Sequence, residues 1–158
     1  MASLSEKVEA ELEQLGQALR ELPAARRIGK LSVLELAGTA SLLSSFYHGV
    51  ENILKQALLA SGVALPTGAA WHRDLLQTAC GQGIVSAGTR DRLAPYMAFR
   101  HFFTHSYGFE LEPERMRPLL ADVRPVHMSF ATEARQFVNR QEKILQPSKR
   151  RPRRKPEA

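Results

Sequence analysis

The stretch that decides the fold is YMAFRHFFTHSYG, residues 96–108, which combines an aromatic side with a basic, titratable side. On a helix turning about 100° per residue, one side carries the aromatic residues Tyr96, Phe99, Phe102 and Phe103. The other side carries the polar residues Arg100, His101, Thr104 and His105. We predict that this helix buries its aromatic side in a core and presents its polar side to a substrate or partner. The rest of the chain is interpreted as its scaffold.

The composition is that of one soluble globular domain. The 158 residues are 44% hydrophobic and 24% charged, which is ordinary for a protein with a buried core. No apolar run reaches the length of about 18 residues that predicts a membrane span, and the N-terminus has no signal-peptide layout. The single cysteine, Cys80, excludes an internal disulfide framework and a cysteine-based zinc site. We therefore expect a cytoplasmic protein that does not enter a membrane.

The net charge of +6 is concentrated at the C-terminus. Six basic residues there outweigh Glu157, so the segment from Pro147 onward carries +5. The six are Lys149, Arg150, Arg151, Arg153, Arg154 and Lys155. We predict a near-neutral helical domain over residues 1–146 and a basic, disordered tail over residues 147–158. The tail either binds RNA phosphates, with an affinity that falls steeply with salt, or serves only as a solubilising end.

Apolar spacing and capping residues predict the first two helices. A first amphipathic helix, ended by Pro23, is indicated by Val8, Leu12, Leu15, Leu19 and Leu22. A short basic connector follows over Ala24–Lys30. Ser32 and Glu35 form a capping box, so a second helix is expected to begin there and to run to Ser61.

The second helix is predicted to have separate apolar and polar faces. Its apolar face comprises Phe46, Val50, Ile53, Leu54, Ala57 and Leu58. Its polar residues His48, Glu51, Asn52 and Lys55 are expected to lie together, away from that face. Glu51 and Lys55 have the spacing of an ion pair with no further role. If this helix lines the site, Glu51 instead orients Arg100 or His105.

Two more helices follow a loop rich in glycine and proline. Trp71–Ala79 reads as a short helix that packs Trp71, Leu75 and Leu76. In this part of the chain, His72 is interpreted as a local hydrogen-bonding residue and Cys80 as a small core residue. Thr89 is expected to cap the helix that carries the opening stretch.

Prolines and glycines set the limits of the last part of the bundle. Pro95 predicts a kink or a lead-in turn, and Gly108 is expected to end that helix. A final helix is expected to begin near Glu112 and Pro113, with bends at prolines 118 and 125, before the tail. Without a convincing strand pattern, we predict an all-α, up-and-down bundle of four main helices plus a short one.

The motif Arg100-x4-His105-x-Tyr107 brings together groups suited to phosphate chemistry. Arg100 and His105 stand about 140° and about 7.5 Å apart on the helix, and Tyr107 returns to within about 20° of Arg100. Arginine donates paired hydrogen bonds to phosphate, and histidine exchanges protons near neutral pH. Together they provide what metal-free RNA cleavage needs, namely proton transfer and stabilisation of the reacting phosphate. Spacing alone, however, favours a simpler interpretation in which both side chains are solvated or ion-paired.

A metal site on the same helix is not expected. His101 and His105 are four residues apart and share a face, as two metal ligands would. The residue after His101 is Phe102, however, where the zincin pattern requires a glutamate, and no third ligand is nearby. We therefore predict no metal and no other cofactor.

Four blocks in order resemble the HEPN superfamily and, within it, the HepT-like ribonuclease toxins. They are FYHGVENILK at residues 46–55, WHRDLL at 71–76, FRH at 99–101 and YGFEL at 107–111. The core motif alone is short, whereas the succession of blocks covers roughly residues 33–138. The resemblance implies a helical bundle that dimerises or forms a higher homo-oligomer, with Arg and His from both protomers lining one cleft.

The resemblance also implies an activity and a partner. Proteins of this kind are metal-independent endoribonucleases that leave a 2′,3′-cyclic phosphate, so Arg100 would hold the scissile phosphate and His105 would serve in acid–base catalysis. Their partner is a nucleotidyltransferase antitoxin of the MNT type, which adds AMP to the motif tyrosine, here Tyr107. Many HepT-like proteins have Asn or Asp directly after the arginine, whereas this chain has His101, which either forms a hydrogen bond in the cleft, acts in proton transfer or marks a lineage with reduced activity.

Two other functions stay open on the sequence. One is a non-catalytic HEPN partner or substrate-binding subunit of a nucleotidyltransferase. The other is a helical interaction module without chemistry of its own.

Overall fold

The computed structural model describes residues 1–105 and 111–146, and its helices form one bundle. In chain order these are α1 (Leu4–Glu21), a 3-10 helix (Ala25–Lys30), α2 (Val33–Ala60), α3 (Trp71–Gly81), α4 (Ala87–His105) and α5 (Pro113–Leu145). The predicted all-α fold of four long helices and one short one is confirmed, and no strand occurs within the two described ranges. None of these helices is long and apolar enough to cross a membrane.

Hydrogen-bonded caps fix the start of α2 and α4. The Ser32 hydroxyl accepts the backbone N–H of Glu35 at 3.1 Å, and the Glu35 carboxylate accepts that of Ser32 at 3.0 Å. Hydrogen bonding to Ser32 lowers the pKa of Glu35, since it favours the ionised carboxylate. The capping box is therefore confirmed. The prediction of Thr89 as the cap of α4 is wrong, because the Ser86 hydroxyl accepts the Thr89 backbone N–H at 3.1 Å.

The predicted connector after α1 is part of the core. Its residues form the 3-10 helix, in which Ile28 is fully buried. This helix packs on α5, where the Arg117 guanidinium donates to the Ala25 carbonyl at 3.1 Å. Apolar spacing had not indicated this contact, because one isoleucine among basic residues gives no periodic signal.

α2 is the central helix of the bundle and contacts α1, α3, α4 and α5. All six residues of its predicted apolar face are buried. Gly49 permits close packing on α1, since an added Cβ there would lie 3.0 Å from the Leu15 Cγ and closer still to its Cδ2. The predicted polar face is only partly correct, because Glu51 is buried with 1% of its surface exposed, whereas His48 is exposed.

The aromatic side of α4 is buried only in part. Tyr96 is buried, and its hydroxyl donates to the Leu119 carbonyl at 2.7 Å. Phe99 and Phe103 are half-buried and stack with ring centres 6.2 Å apart, while Phe102 is 36% exposed. The prediction of one continuous buried aromatic ridge is therefore wrong towards the C-terminal end of α4.

The prolines lie inside continuous helices. Pro95 is an internal residue of α4 and does not mark a lead-in turn, while Pro118 and Pro125 lie within α5. The start of α5 at Pro113 agrees with the prediction. Gly108, the expected end of α4, lies outside the described residues.

Candidate functional site

The polar side of α4 lines a cavity of about 440 Å³ between α4, α3 and α2. From α4 the cavity receives Met97, Ala98, Arg100, His101, Thr104 and His105. The opposite wall comes from Ala69 and Ala70 before α3 and from His72 and Arg73 in its first turn, and Tyr47 of α2 completes the lining. The structure thus brings three predicted site residues, Arg100, His101 and His105, into one cavity with basic groups of another helix.

Arg100 is oriented by a histidine on α2. Its Nη2 donates a hydrogen bond to the Nδ1 of His48 at 3.0 Å. Since Nδ1 is the acceptor, His48 in this contact is neutral and carries its proton on Nε2. The Arg100 Nε is buried and has no hydrogen-bond partner among the described residues. Only Nη2 of the guanidinium is engaged among the described residues, so its Nη1 hydrogens stay available for an acceptor in the cavity.

His105 is held by the backbone of its own helix. Its Nδ1 lies 2.8 Å from the His101 carbonyl oxygen, so Nδ1–H is the donor and, in the neutral ring, the lone pair is on Nε2. Thr104 supports this arrangement, with its hydroxyl 3.1 Å from the same Nδ1 and donating to the Arg100 carbonyl at 2.9 Å. The ring centres of His101 and His105 are 4.4 Å apart. The helix therefore presents a nitrogen that can accept a proton.

Glu51 is connected to the cavity through His72. The two side chains are joined by a hydrogen bond of 2.6 Å between the Glu51 carboxylate and the His72 Nδ1. The predicted pair of Glu51 with Lys55 does not form, and Lys55 instead lies 4.3 Å from the centre of the Trp71 ring. Trp71 also stacks on His72, with ring centres 3.6 Å apart. His72 does form hydrogen bonds, as predicted, but with α2 and not with a local partner.

Tyr47 adds a neutral donor to the cavity lining. Burial raises the pKa of its hydroxyl, and the negative charge of Glu51 raises it further, while the positive charge of Arg100 acts in the opposite direction. The hydroxyl therefore stays protonated at neutral pH. It has no hydrogen-bond partner among the described residues.

Metal ligands do not gather at this cavity. Across the part of the chain that the structure describes, no group of three or more His, Cys, Asp or Glu side chains is placed to hold a metal ion. His101 and His105 form only a pair. Cys80 is half-buried on α3, with the Arg90 guanidinium 3.8 Å from its sulfur.

Fold and cavity together describe the class of the protein: a small helical bundle in which α4 contributes one arginine and two histidines to the lining of one cavity. A family model described as HepT-like protein matches residues 38–141, which contain every residue that lines the cavity. The chain therefore belongs to the HepT-like family of the HEPN superfamily. This family is generally related to nucleases. No curated protein and no solved structure gave a match.

Several polar residues in or beside the cavity were not assigned to the site from sequence. Tyr47, His72 and Arg73 line the cavity, and His48 is hydrogen-bonded to Arg100 from α2. All four belong to the blocks FYHGVENILK and WHRDLL, so the blocks located them without indicating their contacts. What the sequence lacked was the tertiary arrangement that places α2 and α3 beside α4. Tyr107 and the basic tail lie outside the described residues.

Proposed function

We propose that this protein is a metal-independent endoribonuclease, the toxin of a HEPN/MNT toxin–antitoxin module. The observation that carries the proposal is that Arg100 and His105 line one cavity in a chain of the HepT-like family. The cavity also contains the donors Tyr47 and Arg73. Such a lining suits the negative charge of an RNA phosphate.

The proposed reaction assigns separate tasks to the two α4 residues. The His105 Nε2 accepts the proton of the ribose 2′-hydroxyl, and the 2′-oxygen attacks phosphorus. The O2′–P bond forms as the P–O5′ bond breaks, and the departing O5′ takes up a proton, which leaves a 2′,3′-cyclic phosphate and a 5′-hydroxyl. Arg100 holds the phosphate oxygens on which negative charge builds up. His101, whose ring is next to that of His105, is an accessory residue.

The first experiment measures cleavage of RNA in EDTA. Arg100→Ala and His105→Ala are each expected to lower the rate at least about 100-fold, because one loses charge stabilisation and the other proton transfer. Arg20→Ala is the matched control, since Arg20 is exposed on α1 and lies outside both the cavity and the family match. If the wild-type protein leaves RNA intact over a range of salts and substrates, the proposed endoribonuclease activity is excluded.

The proposed assembly is a homodimer in which two copies bring their cavities into one cleft. Light scattering of the purified protein is expected to give the mass of a dimer or a higher homo-oligomer. A monomer that keeps full cleavage activity at the same concentration would show that one chain suffices.

Regulation by a partner is proposed at Tyr107. An MNT-type nucleotidyltransferase encoded beside this chain is expected to transfer AMP from ATP to the Tyr107 hydroxyl and to inhibit cleavage. Mass spectrometry after incubation should locate the adduct, and Tyr107→Phe should abolish it. An unmodified Tyr107 in the presence of an active transferase would contradict this regulation.

A second candidate is a non-catalytic HEPN partner or substrate-binding subunit of a nucleotidyltransferase. The observation that favours it is His101, since the resemblance to HepT-like toxins implies Asn or Asp directly after the arginine. Stable binding to the transferase without RNA cleavage by either protein would support this function over the first.

A further inference from the structure

The buried carboxylate of Glu51 is hydrogen-bonded to a histidine, His72, that lines the cavity. Glu51 is the only acidic side chain that is almost fully buried in the described part of the chain. It lies 2.6 Å from the His72 Nδ1, and the His72 side chain is 36% exposed. Burial of a carboxylate is strongly unfavourable unless it is well paired, so this contact is more than an incidental surface pair.

Two independent contacts fix the His72 ring. The hydrogen bond to Glu51 engages Nδ1, and the Trp71 ring stacks on the imidazole at 3.6 Å. With Nδ1 engaged, Nε2 is free of hydrogen bonds within the described ranges. His72 lines the same cavity as Arg100 and His105.

The carboxylate distinguishes His72 from His105. A carboxylate on Nδ1 holds the ring in one tautomer and stabilises an imidazolium, as in the Ser-His-Asp arrangement. The Nδ1 of His105 instead meets the neutral carbonyl of His101. His72 is therefore the ring that can be held as an imidazolium with a proton on Nε2, whereas the neutral His105 offers a lone pair on Nε2.

We propose that His72 is the general acid of the site and that Glu51 is its positioning residue. This assignment rests on the proposed endoribonuclease activity. As the P–O5′ bond breaks, the proton on the His72 Nε2 passes to the O5′ leaving group, while His105 holds the proton of the 2′-hydroxyl. Proton exchange with water then restores both rings. The charged groups that face His72 are Glu51 of α2, the adjacent Arg73, and Arg100 with the α4 histidines across the cavity.

The test compares two leaving groups in one RNA sequence. One substrate has the natural 5′-oxygen at the cleaved linkage, and the other has sulfur there, which leaves as a thiolate without needing a proton. His72→Ala is expected to slow cleavage of the natural substrate at least about 100-fold and that of the thio substrate by less than about threefold. His105→Ala should slow both, because both substrates need the 2′-hydroxyl deprotonated.

Two further variants separate chemistry from structure. Glu51→Gln keeps a side chain of the same size and should lower only the rate with the natural substrate. Gln77→Ala, an exposed change on α3 outside the cavity, should leave both rates unchanged. In the pH profile, His72→Ala should remove the limb on which the rate with the natural substrate falls as pH rises, since that limb reports loss of the acid.

The outcomes are distinct. If His72→Ala lowers the cleavage rate equally with both substrates, or with neither, His72 is not the general acid, and the proposed endoribonuclease activity is unaffected. If the wild-type protein cleaves neither substrate, both the proposed activity and the assignment of His72 are wrong.

Discussion

At the scale of single residues, five side-chain atoms are buried without a hydrogen-bond partner in the described chain, and two of them, the Tyr47 hydroxyl and the Arg100 Nε, belong to residues that line the cavity. A buried unsatisfied group costs about 1–3 kcal/mol. The Nδ1 of His127 is also buried without a partner in the described chain, but it lies away from the cavity, with its ring 6.1 Å from that of Phe46.

The first prediction concerns the pH dependence of stability through His127. Burial lowers the pKa of His127 below its ordinary value of 6.5, and the positive charge of Arg135 lowers it further. As pH falls below 6.5, the unfolded chain binds a proton before the folded chain does, so stability decreases until the lowered pKa is passed. His127→Leu should remove this decrease. The measurement is the urea midpoint of both proteins at about pH 7.5 and about pH 5.5.

Replacement of an exposed histidine serves as the control for this prediction. His101→Asn should keep the wild-type difference between the two pH values, because its ring is exposed on α4. Equal pH dependence in wild type and His127→Leu would show that another group causes the loss of stability.

At the scale of elements, α2 shows how far the sequence determines the fold. Its start at Ser32, its end and its apolar face were all predicted, because capping and apolar spacing are local signals. The burial of Glu51 was not predicted. Glu51 lies four residues after Tyr47 and three before Leu54, so its spacing belongs to the buried stripe. We predicted Glu51 on the polar face because of its charge, since the sequence does not show that α3 brings His72 next to it.

The second prediction tests the packing of α1 on α2. Gly49→Ala gains helix propensity of about 1 kcal/mol, but the new Cβ would overlap the buried Leu15 side chain, at a cost of about 1–3 kcal/mol. We expect a net loss of stability. Gly38→Ala in the same helix is the matched control, since a Cβ there meets nothing within 4 Å, and it should stabilise by up to about 1 kcal/mol.

Urea unfolding of both glycine variants measures the difference. Equal stability of Gly49→Ala and Gly38→Ala would mean that α1 can shift away from the new Cβ at no cost in folding free energy. Close packing at Gly49 would then not be required for the stability of the bundle.

At the scale of the whole molecule, the sequence predicted the helices better than their assembly. The polar side of α4 was predicted in full, and four of its residues line the cavity. The opposite wall, His72 and Arg73, could not be assigned because helical periodicity says nothing about which helices are neighbours. The His48 contact with Arg100 spans 52 residues of sequence and depends on that same assembly.

The charge of the whole chain leads to the last prediction, which concerns RNA binding by the tail. Residues 1–146 carry only +1 of the net +6, so most of the long-range attraction for RNA should come from residues 147–158. A chain ending at residue 146 should bind single-stranded RNA more weakly at low salt. The slope of log affinity against log salt should decrease by about 0.7 for each RNA phosphate that the tail no longer neutralises.

Replacing the six basic tail residues with glutamine should have the same effect, since charge and not length is the cause. Unchanged affinity and slope in both variants would mean that the tail is only a solubilising end.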